Sequence, residues 1–393
     1  MNSRCWAVVL GCDVSGLGVI RSLGEKNISI LALDHNPHAI GFHSKFVSES
    51  IVCPHPLDSE YDLVEFLVGI GERLNGVKIL FPTKDSYVSA IAKSRDTLEP
   101  YYKIPFSKWD VIEHIVDKEK QYKRAAEHGI PLPETFYPKD EYDIEALSDD
   151  FEFPLILKPV YSEKFYARYS IKAVKCNSKK DLIEKFVKYS ADGFKMIVQK
   201  FIEGNASQLY EFQSYTNNTG EVMAMFIGKK LKQHPPETGT GSHFVSVKEP
   251  LLVDMGLRVL RIFDYQGISS IEFKLDQREG RYKLIEINPR TTHCNSLSSE
   301  CGVNIPYAAY KDTWGGYTGK AIHSYTIGEE WIWPEYGFLK RKCFTIYIKD
   351  LFTRKHRVYA VFSFRDPLPE VFYFLGTLLQ YIKGFLRKIN KSG

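Results

Sequence analysis

The chain has 393 residues, 44% of them hydrophobic and 25% charged, with a formal net charge of +4. That composition excludes a disordered, collagenous or low-complexity chain, and the length implies two or three folded units at about 150 residues each. Charge is unevenly placed: residues 338–393 carry twelve Lys or Arg against three acids, so the basic character belongs to the C-terminal sixth.

Seven cysteines, at positions 5, 12, 53, 176, 294, 301 and 343, include no C-x-x-C pair and no zinc-type grouping with histidine, which fits a reducing compartment. Residues 1–11 lack the basic start and long apolar core of a signal peptide, so a cytoplasmic location is expected.

Residues 6–10 read as a buried strand, 19–25 as a helix and 28–33 as a second strand ending in Asp34, with the turn GCDVSGLG at 11–18 between the first two. This is a βαβ unit. A glycine turn at a helix start exposes backbone N–H groups, so one expectation is a dinucleotide with Asp34 on its ribose. The other is glycine used only to turn tightly, and the spacing departs from G-x-G-x-x-G. A helix over 61–70, a strand over 77–81 and PTKDS at 82–86 continue the alternation, with a helix running on through Ala92. Asp85 and Ser86 fall just beyond a strand's carboxyl end, where open α/β sheets place ligands, although Asp85 would equally serve as a helix N-cap. A helix over 111–128 stops at Gly129, and IPLP at 130–133 marks a domain junction.

The strand PLILKP at 154–159 embeds Lys158 among apolar neighbours, the setting of a phosphate-binding lysine held rigidly. MIVQKFIEG at 196–204 is a strand running into a glycine turn. Strands over 221–226, 269–275 and 282–287, with helices over 181–190 and near 252–265, give an α+β second half. Glu272 and Glu286 lie on neighbouring strands of this half. The turn 276–281, centred near Glu279, sets them roughly opposite, on one face of a hairpin. Paired carboxylates need a cation between them. Glu272, Glu286 and the amide oxygen of Asn288 fit Mg²⁺ with nucleotide phosphates, and Arg290 suits a phosphoryl group or oxyanion. A solvated strand face would account for the acids but not for the Asn-Pro-Arg that follows directly.

In this order, the segments resemble the ATP-grasp carboxylate–amine ligases over about residues 5–315, above all the group containing bacterial D-aspartate ligase. The matching segments are Asp117-Lys118 with IPLP after it, LILKP around Lys158, VQKFIEG at 198–204, GKKLKQHPPETG at 228–239, and Glu272, Glu286, Asn288 and Arg290. The resemblance implies an α/β doubly wound N-terminal domain over 1–112 and an α+β ATP-grasp domain over 113–325. A lid at about 150–204 and a basic, helical C-terminal appendage over 326–393 complete the expected fold. It implies ATP and Mg²⁺ as cofactors, with Mn²⁺ as a substitute. Lys118, Lys158 and the hinge Gln199, Lys200, Phe201, Ile202 and Glu203 would hold ATP, and Glu203 or Glu211 its ribose. Arg290, with Lys230 or Lys232, would steady an acyl phosphate and a tetrahedral intermediate.

One departure stands out. The segment YSEKFYARY at 161–169 has no glycine where the family's loop closes over the phosphates, so closure falls to Lys164 or Arg168, or the loop is reshaped. The stretch ETGTGSH at 237–243 is either a substrate-facing loop or an ordinary turn. His234 and His243 are either bases toward an amine or packing residues.

The expected function is ATP-dependent amide formation through an acyl phosphate in cell-envelope biosynthesis. The substrates would be D-aspartate with a lysine amine of a peptidoglycan precursor, or a sugar uronic acid with an amino compound. A non-catalytic nucleotide-binding protein and an NAD(P)-dependent oxidoreductase are the rival expectations. The run at 371–382 is apolar, free of acids, shorter than the ~20 residues of a bilayer span, and followed by Lys383, Arg387, Lys388 and Lys391. It suits an anionic membrane interface, placing the protein peripherally at the membrane's inner face, or a helix docked on the protein itself. The expected partners are small-molecule or lipid- or sugar-linked substrates. With no nucleic-acid-binding module in the sequence, nucleic acid is not among them.

Overall fold

A computed structural model describes residues 5–147, 151–315, 321–334 and 357–389, with side chains through residue 379. Three sheets organise it. Strands β1 (Cys5–Leu10), β2 (Ser29–Asp34), β3 (Glu49–Val52) and β4 (Val77–Pro82) form a parallel sheet in the order β3-β2-β1-β4. Every residue of β1 is buried, as a central parallel strand covered on both faces requires. Helices α1 (Val14–Gly24), α2 (Glu60–Arg73), α3 (Asp85–Lys93) and the short α4 (Arg95–Leu98) accompany this sheet.

The helix expected over 111–128 is two helices, α5 (Trp109–Val116) and α6 (Lys118–Glu127). Asp117 between them has an extended backbone and caps α6, its Oδ1 accepting from Lys120 N at 3.0 Å. Lys118 thereby becomes the first residue of a new helix. A second sheet, β5 (Thr135–Phe136), β6 (Leu155–Pro159), β7 (Val174–Cys176) and β8 (Met196–Lys200), is antiparallel in the order β5-β8-β6-β7. It packs with α7 (Glu141–Glu145), α8 (Ser162–Tyr169) and α9 (Lys179–Ala191) around its own apolar core.

Helix α8 replaces the loop expected at 161–169. Lacking glycine and proline, the segment is free to wind, and the fully buried Phe165 ring pins it against Tyr189 and Phe194 at centroid distances of 5.0 and 5.1 Å. Arg168 faces outward to Asp192 and Lys164 is exposed, so neither closes the site.

The third sheet runs β13-β12-β9-β10-β11-β14-β15. Its strands are β9 (Leu209–Thr216), β10 (Val222–His234), β11 (Thr240–Ser246), β12 (Gly267–Asp276), β13 (Arg281–Asn288), β14 (Glu330–Ile332) and β15 (Arg357–Tyr359). Helices α10 (Pro250–Phe263), α11 (Asn295–Glu300) and α12 (Ile305–Trp314) cover it. The first and third sheets share their cores: Leu10, Leu33 and Leu80 belong to one apolar cluster with Phe212, Leu260 and Phe273. A last helix spans Leu368–Ile389, and among the described residues no helix is long and apolar enough to cross a membrane.

The glycine turn at 11–18 serves packing. Gly11 (φ +86°) donates its N–H to Leu33 O at 2.9 Å. A Cβ on Gly16 would lie 2.0 Å from Gly11 O, and one on Gly18 would lie 1.9 Å from Asn295 Oδ1. Asp34, 2% exposed, accepts from the backbone N–H groups of Cys12 at 2.5 Å and Asn36 at 2.8 Å. The carboxylate expected on a ribose is therefore spent inside the fold, and Asn295 of α11 fills the space beside Gly18. The oxidoreductase reading loses its site.

Candidate active site

The three sheets converge on a cleft of about 580 Å³. Its floor comes from strand register. Glu272 on β12 stands opposite Glu286 on β13 and opposite Glu211 on β9, so three carboxylates form a row across adjacent strands. The closing pair of the β12–β13 hairpin is Asp276 with Arg281, and a bulge after Glu272 leaves the two cleft glutamates in one register.

Each acid has a different partner. Lys118 Nζ donates to Glu286 Oε1 at 2.6 Å and to Ser162 Oγ at 2.8 Å. Burial alone would raise the Glu286 carboxyl, but Lys118, with Lys172 and Lys158 beside it, holds it at about 2. Lys230, 4% exposed, donates to Glu272 Oε2 at 3.3 Å. Glu211 accepts from Thr292 Oγ1 at 2.9 Å and Cys294 Sγ at 3.2 Å, and burial together with neighbouring Glu272 pushes its carboxyl up. Arg290 Nε donates to Asp85 Oδ1 at 2.6 Å, and its Nη2 to Asn288 Oδ1 at 3.1 Å. Asp85 is the first helical residue of α3 and not its cap, which leaves the carboxylate free for this pairing.

The opposite wall belongs to the second sheet. Lys158 Nζ donates to Gln199 Oε1 at 2.6 Å, and burial lowers its ammonium to about 8 despite nearby Glu286. Gln199 in turn donates to Thr135 Oγ1 at 2.9 Å, so Lys158 is aimed by a fixed amide. The hinge after β8 is secured by Lys274, whose Nζ donates to Ile202 O at 2.6 Å and lies 5.1 Å over the Phe201 ring. Lys200, Phe201 and Ile202 all line the cleft.

Several expected site residues lie elsewhere. Glu203 is on the surface with Arg278 at 2.7 Å and does not line the cleft, whereas Glu211 does so beside Glu272 and away from the hinge. Lys232 is exposed and outside the cleft, because β10 is irregular between Lys230 and Lys232 and the regular alternation of faces is lost there. His234 pairs in register with Thr240 at the base of the β10–β11 hairpin, and His243 Nε2 sits 3.3 Å from Glu330 Oε2; neither lines the cleft. Ser86 is withdrawn into a contact with Glu163 of α8, giving its N–H at 2.7 Å and its hydroxyl at 2.8 Å. The stretch at 237–243 includes the turn between β10 and β11, and its residues from Glu237 to Gly241 line the cleft.

Residues that sequence reasoning passed over include Glu163, Lys172, Lys274, Thr292 and His293, all but Lys274 on loops or on α8. Thr292 and His293 directly follow the Asn-Pro-Arg segment, and extending that motif would have reached them. His293 Nδ1 lies 3.1 Å from Ser15 Oγ, and burial lowers its imidazole to about 4, so it is neutral at pH 7. Among the described residues no group of three or more His, Cys, Asp or Glu is arranged to hold a metal. The oxygen set here is two carboxylates and an amide. Both carboxylates already hold ammonium groups, so the site accepts cationic charge, and its hard donors fit Mg²⁺.

Residues 215–315 match the family described as "Carbamoyl-phosphate synthase L chain, ATP binding domain". The chain is 24% identical to D-aspartate ligase from Enterococcus faecium over 319 residues, covering 77% of this chain and 75% of that one. It is 21% identical to the carbamoyl phosphate synthase large chain of Pyrococcus furiosus over 314 residues, covering 76% of this chain but 28% of that much longer one. Among solved structures, L-amino acid ligase from Bacillus licheniformis superposes with a TM-score of 0.64 at 14% identity, over 82% of this chain and 78% of that one. Fold, paired acids and relatives agree, and the chain is similar to the ATP-grasp superfamily of ATP-dependent ligases, with an ATP-binding-domain match over residues 215–315.

Proposed function

We propose that the protein joins a carboxylate to an amine through an acyl phosphate, in the building of a cell-envelope polymer. The observation that carries this reading is the row Glu211–Glu272–Glu286 with a buried lysine on each of the latter two, facing Lys158 and Arg290 across one cleft. A carboxylate acylates poorly because oxide would have to leave. One of its oxygens therefore attacks the γ-phosphorus of ATP, the bond to the bridging oxygen breaks, and ADP departs. The amine nitrogen then attacks the acyl carbon, and phosphate leaves with the C–O electron pair.

Lys118 and Lys158 face the phosphates, and the hinge from Gln199 to Ile202 holds the adenine end. Glu272, Glu286 and Asn288 would hold Mg²⁺, which supplies charge neutralisation at the phosphates when bound. Arg290, fixed by Asp85, with Lys230 offsets charge growing on the acyl phosphate and the tetrahedral oxyanion. His293 lines the cleft, which His234 and His243 do not, but burial makes its imidazole too weak a base for their expected role, so the departing phosphate takes the proton that the amine loses. The non-catalytic reading rested on the missing glycines, and α8 supplies that wall with Ser162 and Glu163 instead.

For substrates, the D-aspartate ligase relative supports an acidic amino acid as the carboxylate donor and a peptidoglycan or surface-polysaccharide precursor, lipid- or sugar-linked, as the amine. The test is ADP release with Mg·ATP across carboxylates crossed with amines. Release that needs both substrates and vanishes in Glu286→Ala is expected. Release that needs the carboxylate alone, or that survives in Glu286→Ala, would refute the assignment.

A further inference from the structure

The C-terminal helix Leu368–Ile389 is fastened at its start by a buried acid. Asp366, 1% exposed, accepts from Arg21 Nε at 3.0 Å, Ser44 Oγ at 2.8 Å and Lys45 N at 2.9 Å, while its carbonyl accepts from Arg21 Nη2 at 2.9 Å. One turn into the helix, the Phe372 ring stacks on His43 with parallel planes, and Tyr373 packs against the apolar core. These contacts fix which face looks outward. Leu368, Val371, Phe374, Leu375, Leu378 and Leu379 are each 41–57% exposed and recur at helical spacing, so they form one stripe. Six such side chains make a patch on the order of 500 Å², the upper end of what a monomer's surface ordinarily shows.

We propose that this stripe docks on an anionic lipid surface. Charge decides between occupants. From Val371 to Gly393 the sequence has no acid, and Lys383, Arg387, Lys388 and Lys391 follow the stripe. An apolar face followed in sequence by four cations and no acid matches an acyl boundary under anionic headgroups; a second copy of the same chain would bring like charge against it. The anchor also sets where the cleft lies. Arg21 and Ser15 are on the same helix, α1, and Ser15 lines the cleft, roughly 9 Å along the axis from the residue that grips Asp366. A substrate carried on a lipid would be held within reach of the site.

The experiment is flotation of the full chain with vesicles of phosphatidylglycerol and phosphatidylcholine, and with phosphatidylcholine alone. Wild type is expected to float with the anionic vesicles only and to release as salt rises. Leu375→Glu with Leu379→Glu is expected to lower the partition coefficient at least tenfold, with thermal unfolding and ADP release from soluble substrates unchanged. Wild type that stays in solution, equal binding to neutral vesicles, or a double variant that floats like wild type overturns the proposal. So does a concentration-dependent dimer that the variant dissolves without any vesicle binding. None of these outcomes bears on whether the cleft is a ligase.

Discussion

Neutralising Glu286 would orphan a buried ammonium, and the cost can be worked from the geometry. The Lys118–Glu286 pair is 2.6 Å long, with side-chain exposures of 10% and 27%. A carboxyl held at about 2 in place of its ordinary 4.5 stabilises the folded state by about 3 kcal/mol at neutral pH. Breaking a buried pair by removing one partner costs a similar ~3–5 kcal/mol. Glu286→Gln, in metal-free buffer, is therefore expected to lower the unfolding free energy by about 3 kcal/mol at pH 7. Because the folded value is depressed, this contribution is complete above the unfolded value and fades as pH falls from about 4.5 toward about 2. At pH 3 roughly half of it should remain. Urea unfolding of wild type, Glu286→Gln, Lys118→Met and the double variant at both pH values gives the coupling directly. The double variant leaves no unpaired charge, so a coupling of about 2 kcal/mol is expected. Coupling below about 0.5 kcal/mol, or a deficit as large at pH 3 as at pH 7, would show that the two groups do not depend on each other.

Other consequences can be measured independently. Lys158 is an ammonium below about 8 and loses its proton above it, and phosphates favour the charged form, so Mg·ATP affinity is expected to weaken as pH rises through about 8. Calorimetric titration in buffers of different ionisation enthalpy should show proton uptake on binding, absent in Lys158→Met; uptake that persists in the variant assigns the proton elsewhere. Lys230→Met is expected to lower kcat on the order of 10²-fold, while Lys232→Met stays within about twofold; equal losses would mean that the β10 irregularity does not separate them. Gly18→Ala drives a methyl to within 1.9 Å of Asn295 Oδ1, and Asn295 is itself held by Ser15 O at 2.8 Å, so a loss of about 1–3 kcal/mol in a denaturant titration is expected. An unchanged midpoint would return the turn to ligand binding.

The site was legible where chemistry and spacing coincide. A strand period of two and a tight turn bring Glu272 to within one residue of Glu286, and a bulge after Glu272 completes the pairing. Lys158 stood out because its ammonium is set between apolar strand residues, a position that a surface lysine does not need. Strand β9 was missed. No strand was expected over 209–216, and Glu211 entered only through the resemblance; yet all eight residues of β9 are buried, with Glu211 and Gln213 together on the face of the acid row.

The sequence by itself determined the apolar runs that become strands, the order of the nucleotide segments, the paired acids and the basic C-terminal end. Each is a local pattern or a short-range register, set by alternation and turn chemistry. Only the tertiary structure decided which lysine of Lys230 and Lys232 faces the cleft, since that turns on an irregularity in one strand. It alone split one helix at Asp117 to aim Lys118, and it alone wound 162–169 into α8 by giving Phe165 a pocket. It filled the glycine turn with Asn295, and it lined the cleft with His293 in place of His234 and His243. These outcomes depend on contacts between residues apart in sequence, by 24 positions for Phe165 with Tyr189 and 277 for Gly18 with Asn295, and no local propensity encodes which partner will arrive.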